Sequence, residues 1–230
     1  PDRIADQQED DGEAGGDELN RYRAIELESA ATLSFNPRHQ AYYIERLTLG
    51  YGAKVTLAPW LGTNGIFVVD GATAASLPAE HLVPAIDTDD IRDGQLQTPT
   101  RYAIRTTPDC PPPPAIMAHL EANMHRMAKR GLRKIPWLPP ESWHKRNLNE
   151  PILLVPRIAR SLRPVRVPPN ILPVNHNLSI VAADRVTLDE IEEMLSSKEA
   201  NEWMQAHAAR LESGFYSLTT TLLRQLPVQF

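Results

Sequence analysis

The sequence predicts an α+β fold, with short mixed strands and proline-rich loops in the middle and helices at the C-terminal end. Three observations predict it. Apolar runs such as Ile66–Val69 and Ile152–Val155 are only four residues long, as buried strands are. Fourteen of the 21 prolines fall between residues 108 and 173, where they confine the chain to loops and sheet edges. A capping box, Thr187-x-x-Glu190, comes after that region and opens a helix.

Taken in order, residues 1–20 are acidic and almost free of large apolar groups, which predicts a disordered tail or linker. Arg21–Ala31 reads as a short helix or edge segment. Residues 41–49 and 53–57 have strand composition, and Ile66–Val69 forms a buried strand closed by Asp70-Gly71. Tyr102–Arg105 is a further strand. The run Pro111–Pro114 is held extended, because each proline fixes its own torsion and restrains its predecessor. Met117, Leu120, Met124 and Met127 then make one apolar stripe, predicting a helix over 115–130 with a basic exit. Ile152–Val155 and Leu178–Val181 are strands, and helices follow over 188–195 and 198–212. Residues 21–230 therefore read as a single domain.

The 42% hydrophobic content of the 230 residues suffices for a core. A single cysteine, Cys110, excludes an intramolecular disulfide and a cysteine-rich zinc site, and fits a reducing cytoplasm. No window of about 18 apolar residues suggests a membrane span, and no secretory signal is visible. The chain begins at Pro1, so an excerpt of a longer protein is expected. The net charge of -5 hides an asymmetry. Residues 1–20 carry eight acids against Arg3, whereas residues 101–170 carry thirteen Lys and Arg against four acids, a net of +9. Seven acids against two bases return over 186–213. A basic block of this kind can hold phosphates by counterion release, and a solvated basic face is an equal reading of the charge alone.

Catalytic signatures are missing. Gly50-Tyr-Gly52 lacks the third glycine and the helix of a dinucleotide fingerprint, and no phosphate-loop Gly-Lys-Ser/Thr occurs. The seven histidines include no pair at metal-helix spacing, and there is no Gly-x-Ser-x-Gly elbow. The chain reads as one that binds. Arg157, Arg160, Arg163 and Arg166 recur every three residues among Pro156, Pro164 and Pro168. In a proline-stiffened segment of roughly 3.1 Å per residue they would form a comb along one edge; the other reading is scattered surface arginine pairing with the acidic C-terminal helices. The loop Trp143, His144, Lys145, Arg146 interleaves stacking and basic groups, although a core tryptophan beside a solvated turn is an equal reading. Lys129, Arg130, Arg133 and Lys134 add sequence-independent attraction. Thr63 and Asn64 present small polar groups on a tight turn before the Ile66–Val69 strand.

In this order the segments over residues 45–228 resemble the C-terminal target-recognition (specificity) domain of bacterial adenine N-6 (amino) DNA methyltransferases of restriction-modification or phage-defence systems. The resemblance is carried by Leu61-Gly62-Thr63-Asn64-Gly65-Ile66-Phe67-Val68-Val69, by Leu77-Pro78 and Leu82-Val83-Pro84, and by Trp143 through Ile158. Its end is carried by Ile191–Ser197 and Leu222-Leu223-Arg224-Gln225-Leu226-Pro227-Val228. The family's Asp/Asn-Pro-Pro-Tyr/Phe tetrapeptide and its glycine-rich S-adenosylmethionine loop do not occur.

The resemblance implies sequence-specific recognition of double-stranded DNA by a chain with no catalytic, cofactor-binding or metal residue of its own. S-adenosylmethionine and methyl transfer would belong to a catalytic domain present in cis or in trans. The comb and the Trp143–Arg146 loop would approach the DNA, some side chains setting register on phosphates and others reading base edges. The alternative is a protein-interaction module that uses the acidic C-terminal helices and the proline-rich loops.

Overall fold

The computed structural model describes residues 48–183 and 186–228, all within the unit that spans Glu45–Phe230. The tail 1–20, the segment Arg21–Ala31 and most of the strand expected over 41–49 lie outside the described residues.

A helical turn, α1 (Leu49–Gly52), leads into β1 (Ala53–Leu57) and, past a wide turn, β2 (Val68–Asp70) and α2 (Gly71–Ala74). Next come β3 (Leu82–Ile86), a hairpin of β4 (Ile91–Arg92) and β5 (Gln95–Leu96), and β6 (Arg101–Ile104). Helix α3 (Pro114–Asn123) separates these from β7 (Ile152–Val155), β8 (Ile158–Ala159), β9 (Val165–Val167), β10 (Leu172–Pro173) and β11 (Leu178–Ala182). The chain closes with α4 (Leu188–Ser196), α5 (Lys198–His207), β12 (Ala209–Arg210), β13 (Tyr216–Ser217) and α6 (Thr220–Arg224). The fold is α+β, as the sequence pattern predicts.

The described strands form two four-stranded sheets, a three-stranded sheet in the order β12-β13-β8 and the β4–β5 hairpin. One four-stranded sheet is antiparallel throughout, in the order β1-β11-β7-β9, with Val55 opposite Ile180 and Leu178 opposite Val155. Alternation along its strands sends Val55, Ile180, Leu153 and Val155 to one face, where Ile191, Leu195, Met204 and Leu223 from the C-terminal helices cover them. On the opposite face, Leu154 and Val167 pack against Ile86 of β3. The second sheet, β10-β3-β6-β2, is antiparallel except where β10 runs parallel to β3. Its core joins Phe67, Val69 and Ile104 to Ile116 and Leu120 of α3. Leu49 N–H donates to Leu226 O at 2.9 Å, and Thr48 bridges Pro227, so both ends of the described chain meet on the first sheet.

Several boundaries differ from the sequence reading. Leu49 begins a helical turn, not the end of a strand. Ile66 and Phe67 are fully buried, but they belong to the turn before β2. The helix expected over 115–130 stops at Asn123, and only a 3-10 turn, Met124–Arg126, extends it. The buried face of the helix is Ile116 and Leu120, with Met124 packed beside them and Met117 outside that core, and Met127 adopts an extended backbone to reach it beside Gly62 and Gly131. The helix expected over 198–212 stops at His207 because Ala209–Arg210 pairs with Tyr216–Ser217 as a strand. The Thr187–Glu190 capping box is present in both directions and opens α4.

Leu153 is fully buried in the core under the first sheet. Leu153→Ala is expected to cost about 2–5 kcal/mol of unfolding free energy, measured by denaturant titration. A decrease under about 1 kcal/mol would contradict a close-packed site.

Candidate nucleic-acid interface

Helix α3 starts at Pro114, where a missing N–H is harmless, and Asn123 Nδ2 donates back to His119 O at 2.8 Å in its last turn. The 3-10 turn that follows delivers Arg126 to the Gly62–Gly65 turn. Arg126 Nη2 donates to Asn64 O at 3.0 Å and Nη1 to Asn123 Oδ1 at 2.9 Å, while Thr63 Oγ1 donates to Arg126 O at 3.2 Å. Gly65 stands at φ +85°, and a Cβ there would lie 3.2 Å from the Arg126 guanidinium nitrogens. Met127 then plugs the gap between Gly62 and Gly131. A side chain on either glycine would come within 2.7 Å of its terminal atoms.

Beyond this plug, Lys129, Arg130, Arg133 and Lys134 are all exposed. The Arg130 guanidinium lies 4.3 Å over the Trp60 ring, a cation–π contact that fixes its position. Ala122 through Pro140 contains no acid. Among the described residues, none of the five cations from Arg126 to Lys134 forms an ion pair. The result is a basic ridge beside the Thr63–Asn64 turn, with Leu132 55% exposed in its middle. The Arg126 and Met127 contacts tie the segment that carries these cations to the Gly62–Gly65 turn. Arg126 as the connector and Trp60 as the platform escape a sequence reading. Their contacts span 62 residues and more, and no local signal encodes them.

Trp60 is itself held by Glu141. Its backbone N–H donates to Oε2 at 2.9 Å, Glu141 N–H donates to Trp60 O at 3.2 Å, and His176 Nε2 lies 2.9 Å from Oε1. Burial pushes the Glu141 carboxyl up, but the His176 and Trp60 hydrogen bonds and the charges of His176 and Arg133 outweigh it, so the net direction is down.

The arginine comb does not form as expected. The chain bends at Arg160–Ser161, and the two halves pair with different sheets: β8 with β13, β9 with β7. Arg157 and Arg163 are exposed. Arg160 stacks 4.7 Å over Phe215. Arg166 is engaged by Asp189 and Glu192 of α4, its Nε donating to Glu192 Oε2 at 3.0 Å, and these acids push its pKa up. Trp143 is another correction. It is 4% exposed, sits in the core of the second sheet and is covered by Arg105 at 5.0 Å, so no nucleobase can reach it to stack.

The rest of that loop lines a groove of about 630 Å³ against the first sheet. Lys145 is exposed, His144 Nδ1 lies 2.6 Å from Ser142 Oγ, and Arg146 donates to Leu57 O and Thr56 Oγ1, each at 3.0 Å. Among the described residues, no cluster of three or more His, Cys, Asp or Glu is arranged to hold a metal ion. No helix among them is long and apolar enough to cross a membrane.

No protein-family model matches the chain, and no curated protein matches its sequence. Solved structures do match. One is the Type IIL restriction-modification enzyme MmeI in complex with DNA, at 16% identity and a TM-score of 0.55, covering 74% of this chain and 24% of that one. Another is the type IIG restriction endonuclease BpuSI, at 15% identity and a TM-score of 0.50, covering 90% of this chain and 28% of that one. The chain thus spans roughly a quarter of the length of each, and at such identities the likeness shows a shared fold.

The Glu141 anchor predicts an acid sensitivity. A carboxyl whose folded pKa is depressed contributes stability that is complete above its unfolded value, near pH 4.3, and disappears as pH falls through the folded value. Melting temperature measured against pH should therefore drop below about pH 4.3, and Glu141→Gln should flatten that part of the profile. An unchanged acid limb in the variant would remove Glu141 from this role.

Proposed function

We propose that this chain recognises duplex DNA, as the specificity domain of an adenine-methylating restriction-modification enzyme. The observation that carries the reading is the ridge: five cations with no ion pair among the described residues, fixed beside an exposed turn. Such a surface meets phosphates without breaking salt bridges, and each phosphate it neutralises releases counterions. The fold shared with restriction-modification enzymes, one of them solved with DNA, supports the same reading.

Within it, Lys129, Arg130, Arg133 and Lys134 set the register on the backbone. Asn64 is the candidate base reader. It is exposed, Arg126 holds its carbonyl, and its side-chain amide makes no hydrogen bond among the described residues. An asparagine amide pairs with the adenine edge in the major groove. Arg157 and Arg163 remain available for further phosphates. Arg166 does not, because docking it on DNA would break its pairing with α4.

The family's glycine-rich S-adenosylmethionine loop and its Asp/Asn-Pro-Pro-Tyr/Phe tetrapeptide do not occur in the sequence. The reading accordingly assigns the cofactor and methyl transfer to a catalytic domain in cis or in trans, with no step of the chemistry performed by these residues.

The test is a salt titration of duplex binding. Replacing Lys129, Arg130, Arg133 and Lys134 by glutamine should weaken all duplexes alike and lower the salt slope by about one for each phosphate no longer neutralised. Asn64→Ala should instead cost about 1–3 kcal/mol at one base position and relax selection there. Arg166→Gln should leave both properties unchanged. Wild-type salt slopes in the ridge variant would overturn the reading.

Removal of residues 1–20, which carry a net charge of -7, should strengthen duplex binding at low salt by relieving competition for the ridge. An unchanged affinity would show that this stretch does not compete.

A further inference from the structure

The groove under the 141–150 loop contains a charge that the fold leaves uncompensated. Its floor is the outer face of β1 and β11, where the register sets Thr56 opposite Ser179 and Lys54 opposite Val181. Arg146 leans over that floor, half-buried, and both of its hydrogen bonds go to neutral oxygens of β1. Among the described residues it has no carboxylate partner, and burial pushes its guanidinium pKa down. A partly desolvated cation without an anion is costly unless a ligand supplies one. Lys54 and Lys145, both exposed, add two more positive charges to the lining.

A second observation is independent of charge. Ser179 is 1% exposed and lines the same groove, and its Oγ finds no hydrogen-bond partner among the described residues. Buried hydroxyls are nearly always paired, so an orphan at the floor of a polar groove marks a place for an acceptor. Two acids, Glu141 and Glu150, share the lining, so three cations face two carboxylates and the balance stays positive. Glu141 is held by Trp60 and His176, and Glu150 accepts from Asn147 Nδ2 at 3.4 Å. Opposite the cations, Leu148, Ile152, Ile171 and Pro173 make an apolar wall. Cations and hydroxyl donors on one side, an apolar wall on the other and a volume of about 630 Å³ match a ligand of nucleotide size.

We propose that this groove binds a phosphorylated ligand of nucleotide size, its phosphate held by Lys54, Lys145 and Arg146 and its base or sugar laid on the apolar wall. Arginine forks and lysine point charges both suit phosphate. The phosphate can belong to a free nucleotide or to a nucleotide unit of a DNA strand. The proposal rests on residues other than the ridge and stands whether or not the ridge binds duplex DNA.

The experiment titrates the full chain with deoxyadenosine 5'-monophosphate, a single-stranded decanucleotide and unphosphorylated deoxyadenosine, read by calorimetry. Lys54→Gln and Lys145→Gln change exposed side chains, so melting should be unaltered while affinity for the phosphorylated probe falls roughly tenfold, the worth of a charge-assisted hydrogen bond. Binding of the mononucleotide that these variants weaken identifies a free-nucleotide site. Variant-sensitive binding of the decanucleotide alone identifies a strand phosphate. The ridge variant should retain either activity, which separates this proposal from the duplex reading. The proposal is overturned if no phosphorylated probe binds, if both lysine variants bind like wild type, or if deoxyadenosine binds as tightly as its monophosphate.

Discussion

Two neighbouring residues, Asn175 and His176, stand in the left-handed region at φ 60° and 62°, and the junction between the two sheets depends on them. A non-glycine residue costs about 1–2 kcal/mol there, so the turn persists only where its surroundings hold it. Asp87, just past the end of β3, does so by accepting from Asn175 Nδ2 and, at 2.9 Å, from Asn177 Nδ2. The N–H groups of Asn175 and His176 then donate to Pro59 O and Ala58 O at 3.0 and 3.1 Å. His176 meets Glu141, Glu141 holds Trp60, and Arg130 stacks on Trp60. A continuous set of short interactions thus runs from the inter-sheet junction to the ridge, so the basic surface is held by the scaffold and not by its own flexible side chains.

The same folding sorts the charges. The basic block looks uniform along the chain, but its members meet different fates. Arg166 projects from β9 onto the acidic first turns of α4 and is neutralised. Arg160 is engaged by Phe215 and Arg105 by Trp143. Among the described residues the cations after α3 form no ion pair, because the chain from Ala122 to Pro140 contains no acid and the acidic helices cover one face of the first sheet; Arg133 reaches Glu141 only through its longer-range field. Unpaired exposed cations are the ones whose field reaches outward, so the electrostatic face of the molecule is narrower than composition suggests.

Local signals are legible where local physics decides. The Thr187–Glu190 box and the strands Ile152–Val155 and Leu178–Ala182 follow from capping or composition, and α3 is found where a helix is expected, with Ile116 in place of Met117 on its buried face. The helix end is not legible, because Met127 obeys helical spacing while its destination, between Gly62 and Gly131, is a tertiary fact. The arginine comb fails for a related reason. A three-residue period is meaningful in an unpaired extended chain, and here β8 and β9 are recruited by separate partners. Trp143 shows the remaining ambiguity: a tryptophan flanked by His144, Lys145 and Arg146 has the same sequence whether its ring faces solvent or core, and only the Arg105 contact and the burial settle it.

The loop that carries Trp143 also explains how two polar surfaces can coexist on so small a scaffold. Glu141 at its start lines the groove and also holds Trp60 beneath the ridge, and Lys145 and Arg146 a few residues on line the groove. Between them the Trp143 ring is locked in the core, and Arg146 N–H donates to Trp143 O at 2.8 Å. The buried indole therefore serves both sides as a fixed post. The fold constrains only the post and the two sheets, which packing can satisfy with many apolar sequences. The exposed residues on either side are free to differ from those of proteins that share the fold, which accords with a likeness seen in structure at 16% identity. On the proposed readings, function resides in side chains that the packing leaves exposed or without an ionic partner among the described residues: Asn64 and the ridge cations on one side, Lys54, Lys145 and Arg146 on the other.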